Sequence, residues 1–162
     1  PVIYMEPKRI YRQYKELVPD DGEALPLDVC YVLRDGSDVT LVTWGAQVKE
    51  CLEAADALAK DGISAEVVDL RSIRPLDEET ILNSVAKTHR AVYVEENKPY
   101  CGIGAQIAYL IQDRLFDELD PDLREAFFVT YQKSIRNVVD GAKKFAADAA
   151  AKEQDRDGPP AR

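Results

Sequence analysis

The feature of this sequence that most constrains its fold is a regular alternation between β-rich apolar runs and segments with helical periodicity. The run 39–44 is apolar almost throughout, as a strand that is covered on both faces should be. After Gly45 the period changes, because apolar residues recur between Val48 and Ala59 at the three- and four-residue spacing of an amphipathic helix. Gly62 then stands where a helix C-cap glycine would.

The alternation repeats along the rest of the chain and predicts the fold class. Strands are predicted at 29–33, 39–44, 65–70, 91–95 and 127–131. Helices are predicted at 48–59, from Asp77 as N-cap, after Gly104 up to Pro121, and at 135–149. Because each crossover helix must cover a sheet face, we expect a three-layer α/β/α sandwich with a mostly parallel sheet of about five strands. Asp35-Gly36 is a hairpin turn signal and predicts that the first two strands pair, which adds an antiparallel edge strand.

Composition limits the classes of protein to which this chain can belong. The chain has 162 residues, the size of one ordinary domain, with 46% hydrophobic and 31% charged residues. No apolar run approaches the roughly 20 residues of a membrane helix. A net charge of −9 disfavours nucleic-acid binding. The three isolated cysteines, Cys30, Cys51 and Cys101, form no metal or disulfide pattern and predict reduced thiols inside a cell.

Residues 1–28 are predicted to be a connecting segment, residues 29–150 the α/β domain, and residues 151–162 a polar flexible tail. The chain starts at Pro1 without an initiator Met or a signal peptide, which predicts a fragment of something longer. Basic residues alternate with Tyr4, Tyr11 and Tyr14 near this start, Arg9 among them. Such a segment either binds an anion or RNA, or packs by its tyrosines against the acidic stretch that follows. The overall charge favours packing.

Candidate site residues come from the carboxyl ends of the predicted strands, where ligands collect in such folds. Glu95 and Glu96 end a buried strand, but neighbouring residues on a strand point to opposite faces and cannot act as a facing pair. The Gly102–Gly104 loop precedes a helix and could cradle an anion, or could simply let the helix pack closely. It does not fit a dinucleotide fingerprint, and no P-loop motif occurs. The following residues are predicted to make interface or anion contacts: Tyr4, Arg9, Trp44, Glu95, Glu96, Gly102 and Gly104.

Several longer runs resemble one enzyme family. They are residues 1–12, 35–48, 62–77, 94–97 and 102–106. As they stand, and in this order, they resemble the β subunit of the E1 component of 2-oxo acid dehydrogenases, of the pyruvate or branched-chain type. The resemblance covers about residues 1–120 and lies in the C-terminal domain of that subunit, which has the transketolase C-terminal fold. Residues 124–133 depart from the family pattern.

The resemblance implies a function that belongs to an assembly. Family members use thiamine diphosphate and Mg²⁺ to decarboxylate a 2-oxo acid and to acylate the lipoyl group of E2. The cofactor is held by the α subunit and by the β subunit's N-terminal domain, so this chain alone is expected to bind no cofactor and to be inactive. Its implied partners are an E1 α subunit, a second β subunit and the E2 acyltransferase, with dimerisation and E2 docking as its role. The implied compartment is the cytoplasm, or the mitochondrial matrix in a eukaryote.

The sequence leaves two other interpretations open. One is a free-standing α/β module that binds a small anion at the Gly102–Gly104 loop. The other is the corresponding domain of deoxyxylulose-5-phosphate synthase, a related thiamine enzyme that the run 95–97 also resembles.

Overall fold

The computed structural model describes residues 3, 5–6, 8–12, 15, 17–98, 102–119, 127–130 and 138–143. The strands are β1 (Tyr31–Arg34), β2 (Val39–Thr43), β3 (Ala65–Asp69), β4 (Ala91–Glu95) and β5 (Phe127–Thr130). The helices are α1 (Val48–Lys60), α2 (Glu78–Thr88) and α3 (Ile103–Leu115). Short 3-10 helices span Lys8–Ile10 and Gly45–Gln47, and residues 138–143 are helical. The rest of the predicted helix 135–149 and the predicted tail lie outside the described residues.

The five strands form one sheet in the order β1-β3-β2-β4-β5. β3, β2, β4 and β5 are mutually parallel, and β1 runs antiparallel to β3 at the edge. Every residue of β2 is buried, as its apolar composition predicts for a central strand. The predicted architecture, a mostly parallel sheet of about five strands with an antiparallel edge strand, is confirmed.

The predicted hairpin, however, is wrong. β1 pairs with β3, and β3 lies between β1 and β2 in the sheet. The chain therefore crosses the amino end of β3 between its first two strands, and the N–H groups of Ser37 and Asp38 donate to the Ser64 carbonyl at 3.1 and 2.9 Å. A Cβ at Gly36 would overlap the backbone of Ala65 and Glu66. Gly36 serves this close crossing and not a hairpin turn.

Two apolar clusters hold the helices against the two faces of the sheet. On one face, α1 and the helical residues 138–143 pack against Leu41, Val67 and Val92. On the other face, α2 and α3 pack against Val42 and Val68 together with neighbouring residues of the sheet. The strands β2, β3 and β4 thus supply alternate side chains to opposite cores, which makes the three layers.

Local sequence signals set the helix ends. The Asp77 carboxylate accepts from the Thr80 N–H at 3.0 Å and caps α2, as predicted, and it also accepts from the Cys30 N–H at 2.9 Å. Burial opposes ionisation of this carboxyl, but the hydrogen bonds from Thr80 and Cys30 outweigh it and hold the Asp77 pKa below its ordinary value. Gly62, with a φ of +80°, follows α1 and donates its N–H to the Ala59 carbonyl.

The order of the strands creates a crevice at one point of the sheet edge. From β2 the chain passes through α1 to β3 on one side, and from β4 it passes through α3 to β5 on the other side. Since β2 and β4 are neighbours, their carboxyl ends flank the place where the chain direction diverges. Open α/β sheets bind ligands at such a switch point.

Candidate functional site

A small pocket lies at this switch point, between the carboxyl ends of β2 and β4. Its volume is about 120 Å³. Trp44, Gly45, Ala46 and Gln47 line it from the end of β2, and Glu96 and Asn97 line it from the end of β4. The structure thus brings together two of the predicted site residues, Trp44 and Glu96, which are 52 positions apart in the sequence.

Gln47 is the most buried polar residue of this pocket, with 2% of its surface exposed. Its Nε2 donates to Glu96 Oε1 at 2.7 Å. Its Oε1 is buried and has no hydrogen-bond partner among the described residues. A buried carbonyl oxygen left without a donor costs about 1–3 kcal/mol. Gln47 thus carries a buried acceptor beside the pocket that no described group satisfies.

Glu95 occupies the amino end of α3 from within the protein. Its side chain is 1% exposed. Burial raises the Glu95 pKa, and hydrogen bonds from the Gly104 N–H, the Asn97 side chain, Tyr93 and the Ile103 N–H offset part of this rise. The N–H groups that could hold an external anion at this helix end thus already face a carboxylate of the chain itself.

The two glycines of the loop make room for this arrangement. A Cβ at Gly102 would overlap Glu95 Oε1, and a Cβ at Gly104 would overlap the ring of Tyr93. Of the two alternatives for this loop, the geometry favours close packing over anion binding. Burial, followed by the nearby Glu95 carboxyl, raises the pKa of Tyr93, whose hydroxyl interacts with Trp44 and Glu95. A buried polar cluster therefore lies beside the pocket.

The structure separates the two neighbouring glutamates, in agreement with the strand argument. Glu95 is buried on the side of α3, whereas Glu96 is exposed at the pocket. The positions of the predicted contact residues Tyr4 and Arg9 relative to the pocket cannot be described. Tyr4 lies outside the described residues, and Arg9 belongs to the 3-10 helix Lys8–Ile10 with a side chain that is not described.

Two further polar residues at strand or helix ends have structural roles. Arg71 Nε donates to Asp69 Oδ2 at 2.8 Å, and its guanidinium lies 4.8 Å from the centre of the Tyr31 ring. This ties the loop after β3 to the edge strand. His89 ends α2 with a φ of +57° and its Nδ1 lies 2.6 Å from the Glu118 carbonyl oxygen.

A second and more open groove of about 320 Å³ lies between β1 and α2. The Lys87 ammonium donates there to Asp35 Oδ1 at 2.6 Å and to the buried carboxylate of Glu66. These hydrogen bonds, Asp35 first, raise the pKa of Lys87. Lys87 compensates the negative charge of Glu66, which is only 1% exposed. The cluster therefore has a structural role in stabilising the fold.

Within the described part of the chain, little supports a reactive cysteine, a metal site or a membrane-spanning helix. Cys30 and Cys51 are free and buried, and burial raises the pKa of each thiol to about 12. No group of three His, Cys, Asp or Glu side chains in the described ranges is placed to hold a metal ion. No helix within those ranges is long and apolar enough to cross a bilayer.

Sequence reasoning missed Gln47 as a pocket residue, and it considered the segment 95–98 at a strand end without naming Asn97 as a contact residue. The available signal for Gln47 was a polar side chain directly before the apolar helical pattern that begins at Val48, next to a strand end. Asn97 follows Glu95, the last residue of β4, and Glu96 at the neighbouring strand end. Their convergence depends on β2 and β4 being neighbours in the sheet, which the predicted hairpin did not reveal.

Comparison with known proteins identifies the family. The model of the transketolase C-terminal domain matches residues 29–138, which is most of the chain. The chain belongs to the transketolase C-terminal domain family. This match begins close to β1 and includes all five strands.

Two curated relatives that the chain resembles carry the same name. The chain is 46% identical over 127 residues to the pyruvate dehydrogenase E1 component subunit beta of Bacillus subtilis, covering 78% of this chain and 39% of that protein. It is 42% identical over 120 residues to the subunit of the same name from Staphylococcus epidermidis, covering 74% of this chain and 37% of that protein. The chain thus spans well under half the length of these relatives.

Two solved structures share the fold. A structure described as a split gene transketolase, inactive beta4 tetramer, superposes with a TM-score of 0.66 at 26% identity, covering 82% of this chain and 46% of that chain. The 2-oxoglutarate:ferredoxin oxidoreductase of Magnetococcus marinus superposes with a TM-score of 0.52 at 16% identity, covering 72% of this chain and 19% of that one. The second likeness concerns the fold alone.

Proposed function

We propose that this chain is the C-terminal domain of the E1 β subunit of a 2-oxo acid dehydrogenase, and that it serves subunit association and E2 docking. The observation that carries the proposal is the 46% identity over 127 residues to an E1 β subunit. The parent enzyme would use thiamine diphosphate to decarboxylate a 2-oxo acid oxidatively and to acylate lipoyl-E2. The chain's own contribution is to hold subunits together inside the cell, in the cytoplasm or the mitochondrial matrix.

The geometry of the described residues supports a role without chemistry of its own. The switch-point pocket, at about 120 Å³, is well below the roughly 300 Å³ at which cofactor sites begin. In the larger groove the Lys87 ammonium is already paired with the carboxylates of Asp35 and Glu66, which leaves a net negative charge against a diphosphate. The amino end of α3 faces Glu95. Thiamine diphosphate does not fit any of these places, and we place its site and its Mg²⁺ on other parts of the parent enzyme.

Exposed apolar residues support an interface role. Among the described residues before β1, large apolar side chains point into solvent instead of into either core. They include Ile3, Met5, Leu17, Val18, Leu25 and Leu27, with exposed fractions from 62% upward. Side chains of this kind mark surfaces that another chain or domain covers. The solved structure that is described as a split gene transketolase, inactive beta4 tetramer, offers a precedent for such association.

Sedimentation equilibrium tests the association directly. We expect a dimer or larger oligomer at micromolar concentration, since the exposed apolar segment would be buried in it. A strict monomer at ~100 µM, far above a micromolar dissociation constant, contradicts this part of the proposal. The E2 part is tested by titrating the basic subunit-binding segment of E2 at rising salt. Because the chain carries a net charge of −9, the affinity should fall as salt rises, and a salt-independent affinity contradicts docking by charge.

The alternative, a free-standing anion-binding module, makes a different prediction for the same protein. It requires saturable binding of inorganic phosphate that Gly104→Ala abolishes. The N–H groups of Ile103 and Gly104 already donate to Glu95, and this contact argues against phosphate binding.

A further inference from the structure

Asp21 and Gly22 form an exposed bend in the segment before β1. We propose that this pair is a modification site, at which the main chain closes a cyclic succinimide and then opens to isoaspartate. The main chain of the product runs through the side-chain carboxyl carbon of residue 21. The inference rests on the local structure of the described residues and does not depend on the proposed parent enzyme.

The same dipeptide occurs five times in the sequence, so the structure has to distinguish the Asp-Gly pairs. They stand at 21–22, 35–36, 61–62, 140–141 and 157–158. Ring closure brings the glycine nitrogen to the Asp carboxyl carbon, and glycine favours it because it has no Cβ in the way. The main chain must also turn away from the dihedral angles of strands and helices. The last pair lies outside the described residues, and the other four differ in how firmly their backbone is held.

The bend at Asp21 meets both conditions. Among the described residues, no backbone-to-backbone hydrogen bond holds Asp21 or Gly22. Gly22 has a φ of +74°, and nothing lies within 4 Å of the place that a Cβ would take. The Glu23 N–H donates to Asp21 Oδ1 at 3.0 Å, so the side chain folds back along its own main chain. This hydrogen bond closes a ring that contains the Gly22 nitrogen, and it keeps the carboxyl group near that nitrogen.

The reaction needs no reactant other than water. The Gly22 nitrogen attacks Asp21 Cγ and an N–Cγ bond forms. The carboxyl oxygen that Glu23 does not hold leaves as water, with the proton of the nitrogen and one proton from solvent. The Glu23 N–H stabilises the negative charge that develops on Oδ1. Water then breaks the bond between the main-chain carbonyl carbon of Asp21 and the Gly22 nitrogen, which gives isoaspartate. Breaking the new N–Cγ bond instead restores aspartate.

The pair at 35–36 is fixed by the crossing past the amino end of β3. The next two N–H groups donate to the Ser64 carbonyl at 3.1 and 2.9 Å. A Cβ at Gly36 would overlap backbone atoms of β3, so this peptide unit has no room to turn. The Lys87 ammonium also holds Asp35 Oδ1 at 2.6 Å. We therefore expect the folded chain to protect this pair.

The two remaining described pairs are held by helical structure. At 61–62, the glycine N–H donates to the Ala59 carbonyl at 3.1 Å, and the Lys143 ammonium lies 2.7 Å from the aspartate Oδ2. Residues 140–141 belong to the helical stretch 138–143. In a helix the Cα–Cβ bonds point back toward the amino terminus, away from the following nitrogen. Both pairs should therefore react slowly.

The test follows isoaspartate in the full 162-residue chain during incubation at physiological temperature. Trypsin, which cleaves after Lys and Arg, places three of the pairs on separate peptides, 16–34, 35–49 and 61–71. Isoaspartate leaves the mass of a peptide unchanged but alters its chromatographic retention and its backbone fragments, and the succinimide is lighter by one water. We expect isomerisation in peptide 16–34 to be at least tenfold faster than in the other two peptides.

Incubation of the same chain in urea separates the effect of structure from that of sequence. Once the chain is unfolded, the three pairs share one reactive dipeptide, and their rates should agree within about threefold. Equal rates in the three peptides of the folded chain overturn the proposal. So does a folded chain without isoaspartate in peptide 16–34 after the time in which the unfolded chain has formed it.

Two matched variants assign the reaction to Asp21, at an exposed position where substitution should leave stability nearly unchanged. Asp21→Glu keeps the charge but requires a six-membered ring, which closes far more slowly, and should abolish the product in peptide 16–34. Asp21→Asn loses ammonia instead of water and should close the ring at least tenfold faster at neutral pH. Product that persists in Asp21→Glu overturns the assignment to this residue, and an unchanged rate in Asp21→Asn overturns the succinimide route.

Discussion

At the scale of single residues, the carboxylate of Glu95 takes the position that an external anion would need at the start of α3. The side chain is almost fully buried, and Gly102 and Gly104 leave the space for it and for the Tyr93 ring. In the sequence alone, glycines directly before a helix are typical of a phosphate-binding site. Only the fold reveals that an acidic residue from the preceding strand reaches the same N–H groups.

The titration of Glu95 gives a prediction about stability. Its pKa in the folded chain is raised above the ordinary value of 4.5, mainly by burial. The folded state therefore binds this proton more readily than the unfolded state, and the stability linked to it is present below about pH 4.5 and is lost as the pH rises through the folded pKa. In Glu95→Gln, which cannot titrate, this loss is absent.

Urea unfolding between pH 4 and pH 8 measures the effect. The free energy of unfolding of Glu95→Gln minus that of the wild type should increase with pH across this range. A difference that stays flat with pH would contradict the assigned direction of the Glu95 pKa.

At the scale of secondary-structure elements, the crossing from β1 to β2 decides the order of the sheet. Gly36 is buried against the backbone at the amino end of β3, where a Cβ would overlap Ala65 and Glu66. The overlap involves backbone atoms, so neither segment can move without disturbing the pairing of β3 with its neighbours.

Gly36→Ala should therefore lower the free energy of unfolding by about 2 kcal/mol or more, in the upper part of the range for overpacked sites. The matched control is Ser37→Ala, at the exposed next position, which should stay within about 0.5 kcal/mol of the wild type. Chemical denaturation of both variants at one pH makes the comparison. Equal stability of Gly36→Ala and the wild type would contradict the close crossing.

Most of the secondary-structure elements could be predicted from the sequence. Apolar runs and helical periods predict the strands and helices, because burial on two faces requires them, and Asp77 is predictable as a helix cap from its residue type and position. The pairing of β1 is not predictable in this way, since Asp-Gly suits both a hairpin turn and a close approach of two backbones. The pocket depends on a different pairing, that of β2 with β4. Trp44 and Glu96 were predicted singly, whereas Gln47 and Asn97 emerge only once β2 and β4 are known to be neighbours.

At the scale of the whole molecule, the chain combines a well-packed α/β/α domain with large apolar side chains that are exposed among the described residues before β1. Ile3, Met5 and Leu17 are 86%, 86% and 101% exposed. The net charge of −9 adds an attraction for basic partners. These features agree with the role in association that we propose for this domain.

Exchange of domains in an active enzyme tests this account most directly. In the Bacillus subtilis relative, this chain would replace the matching part of the E1 β subunit, and the chimera would be purified with its E1 α subunit. We expect the chimera to assemble and to decarboxylate pyruvate or 2-oxoisovalerate in the presence of thiamine diphosphate, whereas the isolated chain stays at the level of a heat-killed control. Truncated β subunit without the chain is the control for assembly. A folded chimera that fails to join the α subunit, or turnover by the isolated chain, would contradict the account.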